Sequence, residues 1–188
     1  MKRACGLLLF LAFQSGCSCL GGTSSQAILG VQWTNQMTEL WCWAASGQMI
    51  MSYLGTNVAQ CVQADAFFRV SVCCSSNIPA ICINGGWPQF EKYGFQYDRT
   101  HNQALTFSQI QDQINQKKPV AFSWHWIDDQ GNYEGGHMMV LYGWEIVDGV
   151  PYVIVHDPNS EYEGEMAYEA YTSGSNHTHW DDFYDIGH

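Results

Sequence analysis

The hydrophobic periodicity of the sequence changes at Pro119, and that change constrains the fold more than any single motif does. Before it, apolar residues recur at helical spacing; after it they alternate or run together in short segments of strand character. In "WAASGQMIMSYLG", Trp43, Ile50 and Leu54 form a stripe with small Gly47, and Gly55 supplies a stop. A second helix is expected in "NVAQCVQADAFFR". A third is expected in "TFSQIQDQINQKK", where Thr106 and Gln109 have capping-box spacing and Ile110 and Ile114 share a face. The segments "VAFSWHW", "HMMVLYGWEIV", "PYVIVHD" and "EMAYEAY" read as strands, and the last residues, with His177, His179 and His188, read as a tail. Helices first and antiparallel strands second predict an α+β fold with a cleft between its halves.

The first residues limit where such a domain works. Lys2 and Arg3 precede an apolar run, Leu7 to Phe13, and then small residues, which is the pattern of an export signal over residues 1–19, leaving a domain over 20–188. The run is too short for a permanent membrane span. "QSGC" makes Cys17 a candidate for lipid attachment, although Gln14 stands where an aliphatic residue is usual. A secreted or periplasmic protein, free or tethered, is expected. The net charge of −11 argues against nucleic acid as a partner, and nothing in the composition calls for an oligomer, so a monomer is expected.

Export implies an oxidising compartment, so the cysteines are first disulfide candidates. Cys61, Cys73, Cys74 and Cys82 form an even cluster. A bridge between neighbours 73 and 74 would be strained, so each is expected to pair with one of the outer two. Zinc is the competing use of the four, but no C-x-x-C spacing supports it. If they pair among themselves, Cys42 is left with only Cys17 and Cys19 as mates and is otherwise a free thiol.

Cys42 opens the first helix, where unsatisfied N–H groups and the positive end of the helix dipole favour a thiolate. A nucleophile there also needs a base, a group to orient the base and donors for an oxyanion. "CWAAS" resembles the C-W-A-x-S stretch of papain-like cysteine proteases, and Gln36 lies six residues before Cys42, at the offset of that family's oxyanion glutamine. "GGHMMVLYGW" resembles its histidine strand, which makes His137 the matching histidine, and Asp157 in "VIVHDPN" matches the orienting residue, with Asn159 as its rival. The segment before Cys42 lacks papain's extra cysteine and glycine, and the domain is shorter, as in compact bacterial and effector-type members.

The resemblance implies a papain-like fold and a cysteine peptidase acting on protein or peptide substrates through a thioester, with no metal and no cofactor. The same chemistry with an amine as acceptor would give transamidation, and a non-catalytic, disulfide-stapled binding module would keep the scaffold alone. Trp41, Trp43, Trp124, Trp126 and Trp144 are divided between core and groove, with core the expectation for most. Alternation adds a geometric condition. A two-residue turn at Asp148 and Gly149 would place His137 and Asp157 on opposite faces, so a longer or bulged turn over 148–151 is expected.

Overall fold

One antiparallel sheet collects strands from both sides of Pro119. The structure is a computed structural model and describes residues 25–160 and 163–188. The expected export signal and the candidate lipid site at Cys17 lie outside the described residues. In chain order the elements are β1 (Ser25–Ile28), α1 (Cys42–Tyr53), α2 (Gln60–Phe68), β2 (Gln96–Arg99), α3 (Phe107–Asn115), β3 (Val120–Ile127), β4 (Tyr133–Val147), β5 (Val150–His156), β6 (Glu163–Ala167), α4 (Tyr168–Thr172) and β7 (His177–Gly187). The strand order is β2-β7-β3-β4-β5-β6, with β1 paired to β4 beyond the end of β3.

The helices form where their signals stand. α1 begins at Cys42 and ends before Gly55, whose φ of 97° reverses the chain. α3 carries the complete capping box: the Thr106 hydroxyl accepts from the Gln109 N–H, and the Gln109 side chain accepts from the Thr106 N–H.

Three expectations are corrected. "EMAYEAY" is a strand only to Ala167, after which the chain turns into α4. The helical half is not free of strands, since β1 and β2 belong to the sheet. The expected tail is β7, an interior strand between β2 and β3. Its signal was hidden because most of its inward residues before Phe183 are polar. His177, His179, Asp181 and Asp182 are buried, and each has a partner in place of apolar packing. Asp182 accepts from the Tyr171 hydroxyl and the Leu105 N–H, Asp181 from Arg99, and His177 and His179 reach the carbonyls of Ala170 and Tyr171.

Each face of the sheet is covered by its own core. Trp41, Trp43, Met49 and Ile50 of the α1 region pack with Met138, Val140 and Phe183 on one side. On the other, Ile110 and Ile114 of α3 and Tyr171 of α4 pack with Phe122, Leu141, Trp144, Val153 and Val155. The helical half and the sheet half meet across a cleft, the α+β arrangement expected.

The expectation for the β4–β5 turn is also corrected, and the correction keeps the geometric condition it was meant to satisfy. Val147 pairs with Val150 across a two-residue turn, with Asp148 and Gly149 at φ of 51° and 84°, the signs a type I′ hairpin demands. The extra residue lies inside β4 instead. Leu141 pairs with Val155 and Gly143 with Ile154, so Tyr142 is bulged out of the ladder. The shift shows in the packing, since Leu141 and Trp144 join the same core despite their odd spacing. Gly143 makes room for it: a Cβ there would stand 3.0 Å from the Ala27 carbonyl oxygen and 3.1 Å from Ile154. Pro151, opposite Ile146, stands next to the turn-closing pair, where an antiparallel ladder has no mutual hydrogen bond, so its missing N–H breaks no rung with β4.

The four clustered cysteines form Cys61–Cys74 and Cys73–Cys82, the outer-to-inner pairing expected, and leave no thiolate for a zinc site. The first ties the loop after α2 back to that helix, the second closes the loop on itself, and two tryptophans join the loop to the start of α1. Trp41 Nε1 donates to the Cys82 carbonyl at 2.6 Å, and Trp43 Nε1 to that of Asn84 at 3.2 Å. Replacing Cys73 and Cys82 together with Ala should lower stability by about 2–4 kcal/mol, read as a lower denaturant midpoint at unchanged slope; an unchanged midpoint would mean the bridge constrains nothing.

Candidate active site

The N-terminal segment between β1 and α1 ties the head of the first helix to the far end of β5. Val31 accepts from His156 Nε2 at 2.9 Å, Trp33 Nε1 donates to the Asp157 carbonyl at 2.9 Å, and the Gln36 N–H donates to the Pro158 carbonyl at 2.8 Å. Three consecutive residues of the sheet end are therefore held by one extended strap. His156, which alternation places away from Asp157, is buried and stacked on Tyr142 at 4.0 Å.

That strap delivers Cys42 to the rim of the sheet. Cys42 is the one free cysteine among the described residues and is partly buried at the first residue of α1, where helical N–H groups have no partner within the helix. The helix is fixed to β4 by Ser46, whose hydroxyl donates to the Met138 carbonyl at 3.3 Å. His137, the residue before Met138, therefore lies beside the helix head. Its ring and the Cys42 sulfur line the same cleft, close enough for the sulfur to raise the ring's pKa.

The register of the bulged β4–β5 pair brings the third residue. With Val140 opposite His156, Met139 stands across from Asp157, and His137 projects from the same face as Met139. His137 Nε2 meets Asp157 Oδ1 at 2.7 Å, with side-chain exposures of 12% and 27%. The same oxygen accepts the Asn159 N–H at 2.8 Å. Asn159, the rival, thus supports Asp157 through its backbone, within the turn that an Asp-Pro pair favours. Trp126, on the neighbouring strand, lies nearly parallel to the His137 ring at 6.3 Å and 21°.

Electrostatics follows from these contacts. Burial alone would push the His137 pKa down; the hydrogen bonds to Asp157 and Cys42, and their negative charges, outweigh it and raise the pKa to about 9. For Asp157, burial pushes up, but the hydrogen bond and charge of His137, with the Asn159 N–H, outweigh it and hold the carboxyl below its usual range. Both shifts favour an ion pair at neutral pH.

Gln36 stands in the loop before α1, as its spacing from Cys42 requires. Its amide nitrogen donates to the carbonyls of Thr38 at 3.0 Å and Glu39 at 2.9 Å, while Oε1 is buried without a hydrogen-bond partner. Both amide hydrogens are thus engaged within its own loop.

Cys42 and His137 open into a cleft of about 410 Å³. Of the tryptophans considered in the sequence, Trp41, Trp124 and Trp144 are buried in the cores, and Trp43 is both buried and at the cleft wall. Sequence reasoning missed Trp33, Trp87 and Trp180. Trp87 and Trp180 line the cleft beside Gly85, Gly86 and Gly136, and the glycine-flanked "NGGWP" was the signal that could have found the first of them.

The fold is shared with a solved structure, a candidate C39-like peptidase from Bacillus anthracis. It is 17% identical, with a TM-score of 0.56 over 85% of this chain and 97% of that one. A procathepsin B from Trypanosoma congolense aligns at 12% identity and a TM-score of 0.43, over 81% of this chain and 71% of that one. Among curated proteins, none matches the sequence significantly. The family comparison is the informative one, because it spans residues 28–186 and so takes in all of Gln36, Cys42, His137 and Asp157: the chain belongs to the Peptidase_C39 like family.

Proposed function

We propose that this protein is an exported cysteine endopeptidase in which Cys42, His137 and Asp157 hydrolyse peptide bonds. The observation that carries the reading is one histidine held by a carboxylate at 2.7 Å and sharing its cleft with the only free thiol among the described residues. Two disulfides support work in an oxidising compartment, and no helix among the described residues is long and apolar enough to cross a membrane.

In this reading the Cys42 sulfur attacks the scissile carbonyl carbon, and the carbonyl π electrons move onto oxygen. Collapse of that adduct breaks the C–N bond, and the imidazolium of His137 gives its proton to the leaving amine. A thioester remains. Water then attacks it while neutral His137 takes a proton, and the acid product leaves as Cys42 regains its place beside a protonated ring. Asp157 keeps Nε2 occupied, so the other ring nitrogen faces sulfur and substrate. The Cys42 N–H at the helix head is one oxyanion donor; the Gln36 amide becomes the second by giving up one of its two carbonyl contacts.

Two outcomes are expected. Cys42→Ala should lower kcat/KM on a mixed peptide library by at least about 10³-fold. Activity retained in that variant would end the assignment. The pH profile should fall on its alkaline side near pH 9, because His137 loses its proton there and the ion pair with it. Asp157→Asn removes a contact that raises that pKa, so the alkaline limb should move to lower pH, and an unmoved limb would show that Asp157 does not tune the ring. Stability follows the same sign: the contribution from this raised pKa is complete below about pH 6.5 and is lost as pH rises through about 9.

A further inference from the structure

A continuous stack of rings runs along one wall of the cleft, and none of its members takes part in the chemistry above. It starts at Arg99, whose guanidinium is held by the buried carboxylate of Asp181 and lies 4.2 Å from the Trp87 ring centroid. Trp87 meets Trp180 edge-on at 4.7 Å. Trp180 stacks on His125 at 3.8 Å and 22°, and His125 stacks on Tyr133 at 4.2 Å and 28°. Trp87, Trp180, His125 and Tyr133 all face the cleft that holds Cys42.

Several features separate this ladder from ordinary core packing. Tyr133 is 67% exposed, and Trp87, Trp180 and His125 are only partly buried, so four ring surfaces are kept in contact with solvent. The wall is nevertheless fixed at its Arg99 end and in its middle. Asp181 anchors Arg99, and Trp180 lies so close to β4 that a Cβ on Gly136 would stand 2.7 Å from its ring. Burial pushes the His125 pKa down despite the charge of Asp181, so at neutral pH this rung is an uncharged ring.

We propose that the ladder is a specificity wall that selects peptide substrates with an aromatic side chain close to the scissile bond over aliphatic side chains of equal bulk. The inference rests on the peptidase reading of the same cleft. An aliphatic chain would gain only the burial of its surface. An aromatic ring also gains edge-to-face and offset-stacked contacts with the parts of the Trp87, Trp180 and Tyr133 rings left open to the cleft, and that difference corresponds to about 2–10-fold in kcat/KM.

The test is a mixed peptide library digested by the wild-type enzyme, with new termini read by mass spectrometry. Phe, Tyr and Trp should be enriched over Leu, Ile and Met by about 2–10-fold at one position within three residues of the cut. Trp180→Leu should bring that ratio to about one, and Trp180→Phe, which restores a ring, should recover it. Cleavage by the wild type without aromatic enrichment, or a ratio that survives Trp180→Leu, would overturn the wall and leave the peptidase standing. If the wild type cuts nothing, the peptidase reading fails instead. The wall is then decided by tryptophan fluorescence of the Cys42→Ala protein titrated with N-acetylphenylalaninamide and N-acetylleucinamide. Tighter saturable binding of the first supports it, and equal binding or none overturns it.

Discussion

One extra residue in one strand decides whether His137 and Asp157 can meet. Side chains on a strand alternate with period two, so the two-residue Asp148–Gly149 turn, left alone, would send His137 and Asp157 to opposite faces. Bulging Tyr142 moves the part of β4 beyond it by one position and returns both residues to one face, 2.7 Å apart. The glycine next to the bulge allows it, because β1 and β5 approach from both sides where a side chain would have to fit.

The strap before α1 then turns a matter of register into one of position. Its contacts with His156, Asp157 and Pro158 fix the end of β5 relative to the helix that starts at Cys42, while Ser46 fixes that helix to β4. The disulfide-knitted loop is held from the same region by Trp41 and Trp43. A helix head, a strand start and a turn are thereby held against one another by short hydrogen bonds. The electrostatics of His137 is a consequence: a ring buried enough to lose its charge keeps it because a carboxylate and a sulfur lie on either side.

The wall of rings shows a different use of the same sheet. β7 carries polar residues inward and Trp180 outward into the cleft, and its buried carboxylate reaches through Arg99 to Trp87 on the loop after the disulfides. Elements distant in sequence thus line one cleft. The overall acidity of the chain gives no hint of this, since the wall is built of rings.

Local sequence was enough for the elements whose signals are local. The helical stripe from Trp43, the capping box at Thr106, the outer-to-inner pairing of four cysteines and the strands after Pro119 all follow from spacing and chain chemistry, whereas the choice of Cys42, His137 and Asp157 as residues to bring together came from the resemblance of their motifs to those of papain-like proteases. Three things were settled only by the assembled fold. β7 was hard to read because four of its buried residues are His and Asp, which become tolerable inside only once Arg99, Tyr171 and Leu105 are placed against them. The bulge was expected in the wrong place because its position depends on two neighbouring strands, not on the turn residues. Trp33, Trp87 and Trp180 draw their roles from partners far away in sequence: Asp157, Arg99 and His125. A sequence states which residues are chemically able; long-range pairing and the satisfaction of buried polar groups determine where they meet.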